Sequence, residues 1–123
     1  IAALPCPTIA ALNGTLAGGA MGMALACDIR LAVPSAKFFY PVMRLGFLPQ
    51  PSDPQRLRAL IGPSRAKMIL LAGAKVEAPE ALAWGLIDRI VEPDALQAAA
   101  RALTVDASAA APAHAAAIKA MIA

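Results

Sequence analysis

The chain has 123 residues, a length suited to one domain or part of one. Apolar residues make up 59% and charged residues 15%, against about 45–50% and about 25% in ordinary soluble domains, so so short a chain must associate or sit in a larger fold to cover its apolar surface. The net charge of +3 comes from scattered basic residues with no run interleaved with aromatics, which argues against a nucleic-acid interface.

Leu4-Pro5-Cys6-Pro7 is stiff and extended, because each proline fixes its own φ and restricts the residue before it. It leads into Thr8 to Leu12, an apolar run that reads as a strand buried on both faces, ended by Asn13-Gly14. Leu16 to Ala26 reads as a helix rich in small residues, with Met21, Met23 and Leu25 as its packing groups. Each glycine inside a helix costs about 0.5–1 kcal/mol relative to alanine. The run therefore needs close backbone packing, or a ligand that approaches bare N–H groups. Gly18 and Gly19 sit where the turn becomes helix. Unpaired N–H groups there suit an oxygen that gains negative charge. Asp28 to Val33 reads as a strand, Pro34-Ser35 as a turn, and Lys37 to Tyr40 as a short aromatic strand. This strand, helix, strand order points to an α/β layout.

Tyr40 to Pro54 is a proline-rich loop, long enough to be functional. Asp53 reads as the N-cap of a helix with Pro54 as its first helical residue and Leu57, Leu60 and Ile61 on one face. Gly62 stops that helix. Ser64 to Leu71 forms the next, with Met68 and Leu71 on its apolar face and Gly73 closing it. Residues 74–77 read as a link, Pro79 to Trp84 as a short helix ended by Gly85, and Leu86 to Val91 as a strand. Pro93-Asp94 opens a helix through Leu103, Asp106 to Pro112 reads as a loop, and the last helix runs to Ile122 with Ile118, Met121 and Ile122 as its apolar face.

Cys6 and Cys27 have no metal-ligand spacing and read as free thiols, compatible with a cytoplasmic setting. No signal peptide with a basic leader is visible, and the longest apolar run, Thr15 to Cys27, is too short to span a bilayer. Tyr40 reads as a half-buried aromatic, Arg44 as a surface base and Asp28 as a turn carboxylate. His114 reads as a surface or capping histidine without a nucleophile partner.

Residues 11–32, ALNGTLAGGAMGMALACDIRLA, resemble the central motif of the enoyl-CoA hydratase/isomerase (crotonase) superfamily. Pro54-Gln55-Arg56-Leu57 is similar to a further family stretch. Leu71-Ala72-Gly73 through Glu80-Ala81, Trp84-Gly85-Leu86-Ile87 and Val91 resemble its second signature. The resemblance implies a ββα spiral core in residues 1–60 and a helical C-terminal, trimerisation region in 61–123. It implies a homo-oligomer, a trimer or a dimer of trimers, that binds an acyl-CoA thioester. Coenzyme A enters as part of the substrate and no separate cofactor or metal is implied. Gly19 is the implied oxyanion donor, beside Gly18 and Ala20, with a second donor from a segment ahead of position 1. The chain thus resembles the C-terminal part of such a protein.

The hydratase glutamates are replaced here. The position three residues after the oxyanion glycine is Gly22, and the residue after Pro41 is Val42. Some relatives carry an acid where this chain has Gln50, and Asp53 is the nearest carboxylate. Gly22, Val42 and Gln50 are thus pocket positions without an exchangeable proton, and hydration by two carboxyl groups is not expected. Lys119 resembles a lysine that approaches the CoA phosphates in some relatives; the other reading is a solvated helix face. Whether the pocket performs chemistry, only binds acyl-CoA, or serves assembly stays open at this level.

Overall fold

The computed structural model describes residues 1–123 as a two-sheet α/β fold. Its strands are β1 (Ile9–Leu12), β2 (Leu16–Ala17), β3 (Ile29–Ala32), β4 (Lys37–Phe39), β5 (Val76–Glu77) and β6 (Arg89–Ile90). Its helices are α1 (Gly19–Leu25), α2 (Val42–Leu45), α3 (Asp53–Ile61), α4 (Pro63–Leu70), α5 (Ala78–Trp84), α6 (Leu96–Ala102), α7 (Val105–Ala109) and α8 (Pro112–Ile122). One sheet has the order β1-β3-β6, all parallel, with Ile9 opposite Ile29 and Leu31 opposite Arg89. The other has the order β2-β4-β5, with β2 parallel and β5 antiparallel to β4. The chain places one strand in each sheet and then a helix, and repeats: β1, β2, α1, then β3, β4, α2. This is the expected ββα spiral.

Phe38 and Val76 of one sheet and Leu31 of the other face a shared core. Phe38, Met21, Leu31, Leu57, Ile69 and Leu86 are among its fully buried side chains. The core is continuous from Met21 to Leu96. The division at position 60 falls inside α3, and β5 and β6 complete the two sheets begun by residues 1–60. The two halves thus share one hydrophobic core.

Several local expectations change. Leu16 and Ala17 are strand, paired with Phe38 and Phe39, so α1 begins three residues later than the apolar pattern implies. β1 is an edge strand and half-buried, because β3 covers only one of its sides. Met23 points to solvent, while Met21 and Leu25 are buried. In α4 the buried residues are Ala66 and Ile69, and Met68 and Leu71 are exposed. A short helix, α2, lies inside the proline-rich loop, and β5 and α7 lie in segments read as link and loop. Pro93–Ala95 is a single 3₁₀ turn ahead of α6. The apolar face of α8 is uncovered by this chain: Ile118, Met121 and Ile122 are exposed.

Arg30 ties the spiral together from inside. It is 4% exposed. Its guanidinium donates to the carbonyls of Leu86 (2.8 Å), Cys27 (2.7 Å) and Ala24 (3.3 Å) and lies 3.8 Å from the Asp88 carboxylate. Burial lowers its pKa, with Asp88 acting in the opposite sense; an arginine stays charged under such a shift.

Candidate functional site

Gly18 has φ 56° and ψ −125°, a backbone conformation open to glycine and strained for any residue with a Cβ. Its N–H donates to the Phe39 carbonyl (3.2 Å) at the end of β4, and its carbonyl accepts from Met21 N–H (3.0 Å). These bonds fix the turn and leave Gly19 and Ala20 as the first two residues of α1, without acceptors inside the helix. A Cβ added at Gly18 or Gly19 would meet nothing within 4 Å. The glycines are therefore not explained by packing within this chain, and Gly19 and Ala20 are exposed. A crevice of about 190 Å³ opens beside them, walled by Gly18, Gly19, Tyr40, Val42, Leu48 and Gln50. Leu48 and Phe47 on its rim are largely exposed.

Gly22 differs from its neighbours. It is buried, and a Cβ there would lie 2.5 Å from Asp53 Oδ2 and 2.8 Å from Oδ1. The Asp53 carboxylate occupies the space that any side chain on this turn of α1 would need. Asp53 does not cap its own helix, as its position before Pro54 implies. Ser52 is the flanking residue and no side-chain cap bond forms. Asp53 Oδ2 instead accepts a 2.7 Å hydrogen bond from Tyr40 Oη. Tyr40 is more buried than a half-exposed aromatic, at 4%. Burial, then the bond to Asp53, raise its pKa, so the phenol keeps its proton at neutral pH and remains the donor. Gln50 N–H donates to the same hydroxyl (3.2 Å), and the Gln50 carbonyl accepts from Asp53 N–H (3.0 Å). The loop is thereby closed into a tight turn that locks Tyr40 and Asp53 together. The sequence singled out Gly22 and Asp53 separately; it holds no local signal for their contact.

The structure groups Gly18, Gly19, Val42 and Gln50 around one crevice and sets Gly22 and Asp53 beside it, behind Tyr40. Lys119 is elsewhere. It lies in a groove of about 750 Å³ beneath α8, together with Asp28, Ile29, His114 and Ile118, which shares no residue with the crevice. It is partly exposed but not free: its Nζ bonds Asp28 Oδ2 (2.9 Å) and the Cys6 carbonyl (2.8 Å). Arg44 is exposed and borders a separate hollow with Lys75. No cluster of three or more metal-ligating side chains is present. No helix is long and apolar enough to cross a membrane.

Two small sheets wound as a ββα spiral, with a glycine turn opening onto a crevice, define the crotonase class of α/β proteins. The chain belongs to the enoyl-CoA hydratase/isomerase family, whose model matches residues 1–123. It is 41% identical over 96 residues to a crotonyl-CoA hydratase of Syntrophomonas wolfei, covering 78% of this chain and 37% of that protein. It is 46% identical over 88 residues to a short-chain-enoyl-CoA hydratase of Clostridioides difficile, covering 72% and 56%. Among solved structures, Pseudomonas aeruginosa DspI aligns with a TM-score of 0.93 at 34% identity, covering 98% of this chain and 50% of that one. An enoyl-CoA hydratase of Bacillus anthracis aligns equally well, at 0.93 and 34%, covering 99% and 47%. The chain thus spans between about a third and somewhat over half of the relatives it matches.

Proposed function

We propose that these residues build part of an acyl-CoA thioester site, in which Gly19 N–H polarises the thioester carbonyl and stabilises an enolate. Gly18 sets the turn, and Ala20, Gly22, Val42 and Gln50 shape the pocket. Asp53 supplies the carboxylate for proton transfer, in place of the two glutamates of a hydratase. Relatives named as hydratases of crotonyl-CoA and short-chain enoyl-CoA support the substrate class. The observation that carries the acid–base assignment is the Asp53 carboxylate, seated in the space that a side chain at Gly22 would fill. Hydration needs one group to activate water and another to protonate carbon, and Gly22 and Val42 supply neither. The reading includes a second oxyanion donor from outside these residues, and a homo-oligomeric, cytoplasmic protein. Support for assembly comes from the uncovered apolar face of α8. Lys119 reaches CoA phosphates in this reading only if it leaves Asp28.

Titration calorimetry with an acyl-CoA, followed by turnover on crotonyl-CoA, tests it. Binding with hydration far slower than a two-glutamate relative is the expected result. Hydration at a relative's rate rejects the claim about missing acids, and absence of binding by the natural-length protein favours an assembly-only role. A non-catalytic acyl-CoA binder is the second reading. One observation favours it: Asp53 is 3% exposed and stands behind the crevice wall, not in it.

A further inference from the structure

That same observation points to a different assignment of roles, which rests on the acyl-CoA reading above. We propose that Tyr40 is the catalytic residue that exchanges a proton with the substrate carbon in the crevice beside Gly18 and Gly19. Asp53 then acts through Tyr40, as the residue that positions the hydroxyl and holds the proton.

Tyr40 forms part of the crevice wall together with Gly18, Gly19 and Gln50, and Asp53 does not. A tyrosine hydroxyl has one proton to donate and two lone pairs to accept with. The proton is committed to Asp53 Oδ2 at 2.7 Å, and one lone pair to Gln50 N–H at 3.2 Å. One lone pair remains. The two bonds fix the hydroxyl in place, and one of them comes from Gln50, which also walls the crevice. The close fit of Asp53 against Gly22 then fixes the carboxylate, because a Cβ on that residue would overlap both of its oxygens.

The step balances without a co-reactant. A carbon next to the polarised carbonyl, or conjugated with it, gives its proton to Tyr40 Oη. The phenol's own proton moves along the hydrogen bond to Asp53 Oδ2. The electron pair of the broken C–H bond passes into the enolate, whose oxygen rests on the glycine turn. The state reached holds a neutral phenol, a protonated Asp53 and an enolate. Reversal returns a proton to the same carbon or to a conjugated one, and restores the phenol and the carboxylate. A single relay of this kind moves protons between carbons of one substrate. It suits isomerisation or α-proton exchange of an acyl-CoA, and it leaves water unused.

The test measures deuterium uptake from D₂O into the α-carbon of a saturated acyl-CoA, butyryl-CoA, by NMR, with binding measured in parallel. It uses the natural-length protein and its Tyr40→Phe and Asp53→Asn variants. The expected result is exchange by the parent, at least tenfold slower exchange in Tyr40→Phe, and binding constants within about twofold of each other. Tyr40→Phe keeps the ring and so keeps the wall. Asp53→Asn retains a hydrogen-bond acceptor but cannot take up the proton, so its exchange also falls while its melting temperature stays within a few degrees. A purely structural bond would instead show loss of stability and binding together. Exchange at the parental rate in Tyr40→Phe overturns the proposal, as does a parent that binds butyryl-CoA without exchanging it. A parent that binds no acyl-CoA overturns the underlying site reading instead.

Discussion

At the scale of single residues, the pocket is organised by one missing Cβ. Gly22 sits in the interior of α1, where alanine would normally be better by about 0.5–1 kcal/mol. Here the added methyl would overlap the Asp53 carboxylate, which is buried and tied to Tyr40. Overpacking of this kind costs about 1–3 kcal/mol. Gly22→Ala should therefore destabilise the protein, yet be neutral or stabilising in an Asp53→Ala background, where the obstructing atoms are gone. Urea denaturation of the four members of this cycle should give a coupling of about 1 kcal/mol or more; equal effects in both backgrounds reject the shared space. The two glycines of the turn make a second contrast. Gly18→Ala forces a side chain into φ 56° and should cost about 1–3 kcal/mol. Gly19→Ala meets open space and should leave stability within about 0.5 kcal/mol, while weakening acyl-CoA binding if its N–H faces the thioester. Unchanged binding by a stable Gly19→Ala protein counts against the oxyanion role. The turn was legible in the sequence because its signal is local: adjacent glycines between a strand and a helix. The Tyr40–Asp53 bond was not, because thirteen positions separate the partners across a loop whose closure depends on main-chain bonds at Gln50.

Among the elements, α8 is the one held most lightly. It has no buried residue, and its apolar face is open. Its polar anchor is Lys119, bonded to Asp28 just ahead of β3 and to the Cys6 carbonyl. Lys119→Ala should thus raise amide exchange across 112–122 and leave β1 and β3 protected, a split readable by hydrogen exchange with mass spectrometry. Equal protection of α8 in both proteins would show that the anchor is idle. The same bridge sets an acid response. Burial alone would raise the Asp28 carboxyl, but Lys119 and the bonds with Thr8 outweigh it and hold the pKa below its ordinary value. A depressed carboxyl contributes its stability above the unfolded pKa of about 3.9 and loses it as the pH falls through the lower, folded value. NMR of the α8 amides should therefore show the helix loosening only below about pH 4. In Asp28→Asn the helix should be loose already at neutral pH, with no acid step of this origin; an unchanged acid step would refute the bridge as its source. The helix itself was readable from Pro112 and its alanines. The anchor was not, because sequence placed Lys119 on a solvated face or at a phosphate, and its partner lies 91 positions earlier.

For the whole molecule, the fold was legible where motifs carried it. The glycine turn, the Pro54 helix and the Trp84-Gly85 stop lie in the structure where the residue pattern put them, and the ββα winding is the one the resemblance implied. Short elements were missed for a physical reason. Leu16–Ala17 and Val76–Glu77 are two residues each, too short to carry an alternating pattern, and are strands only because β4 lies beside them. The same non-local character links the residues on either side of position 60. The core runs through it, and Gly85 shows how closely the halves fit: its φ is 84° and a Cβ there would lie 3.2 Å from the Leu60 carbonyl. Arg30 is the polar counterpart of that fit. It joins the carbonyls of Ala24, in the last turn of α1, and Cys27, just behind it, to that of Leu86 ahead of β6. Arg30→Met fills a similar volume but leaves the carbonyls of Leu86 and Cys27 without this donor, while the Ala24 carbonyl keeps Cys27 N–H at 3.1 Å; each unsatisfied buried acceptor costs about 1–3 kcal/mol. Arg30→Met should therefore lose about 2 kcal/mol or more in urea denaturation, and Arg30→Lys less, since one ammonium keeps the charge but not the planar fork. If residues 1–60 and 61–123 form one cooperative body, both variants should still unfold in a single transition at a lower midpoint with the slope unchanged. Two separated transitions, or a loss under about 1 kcal/mol, would show that the halves stand without this link.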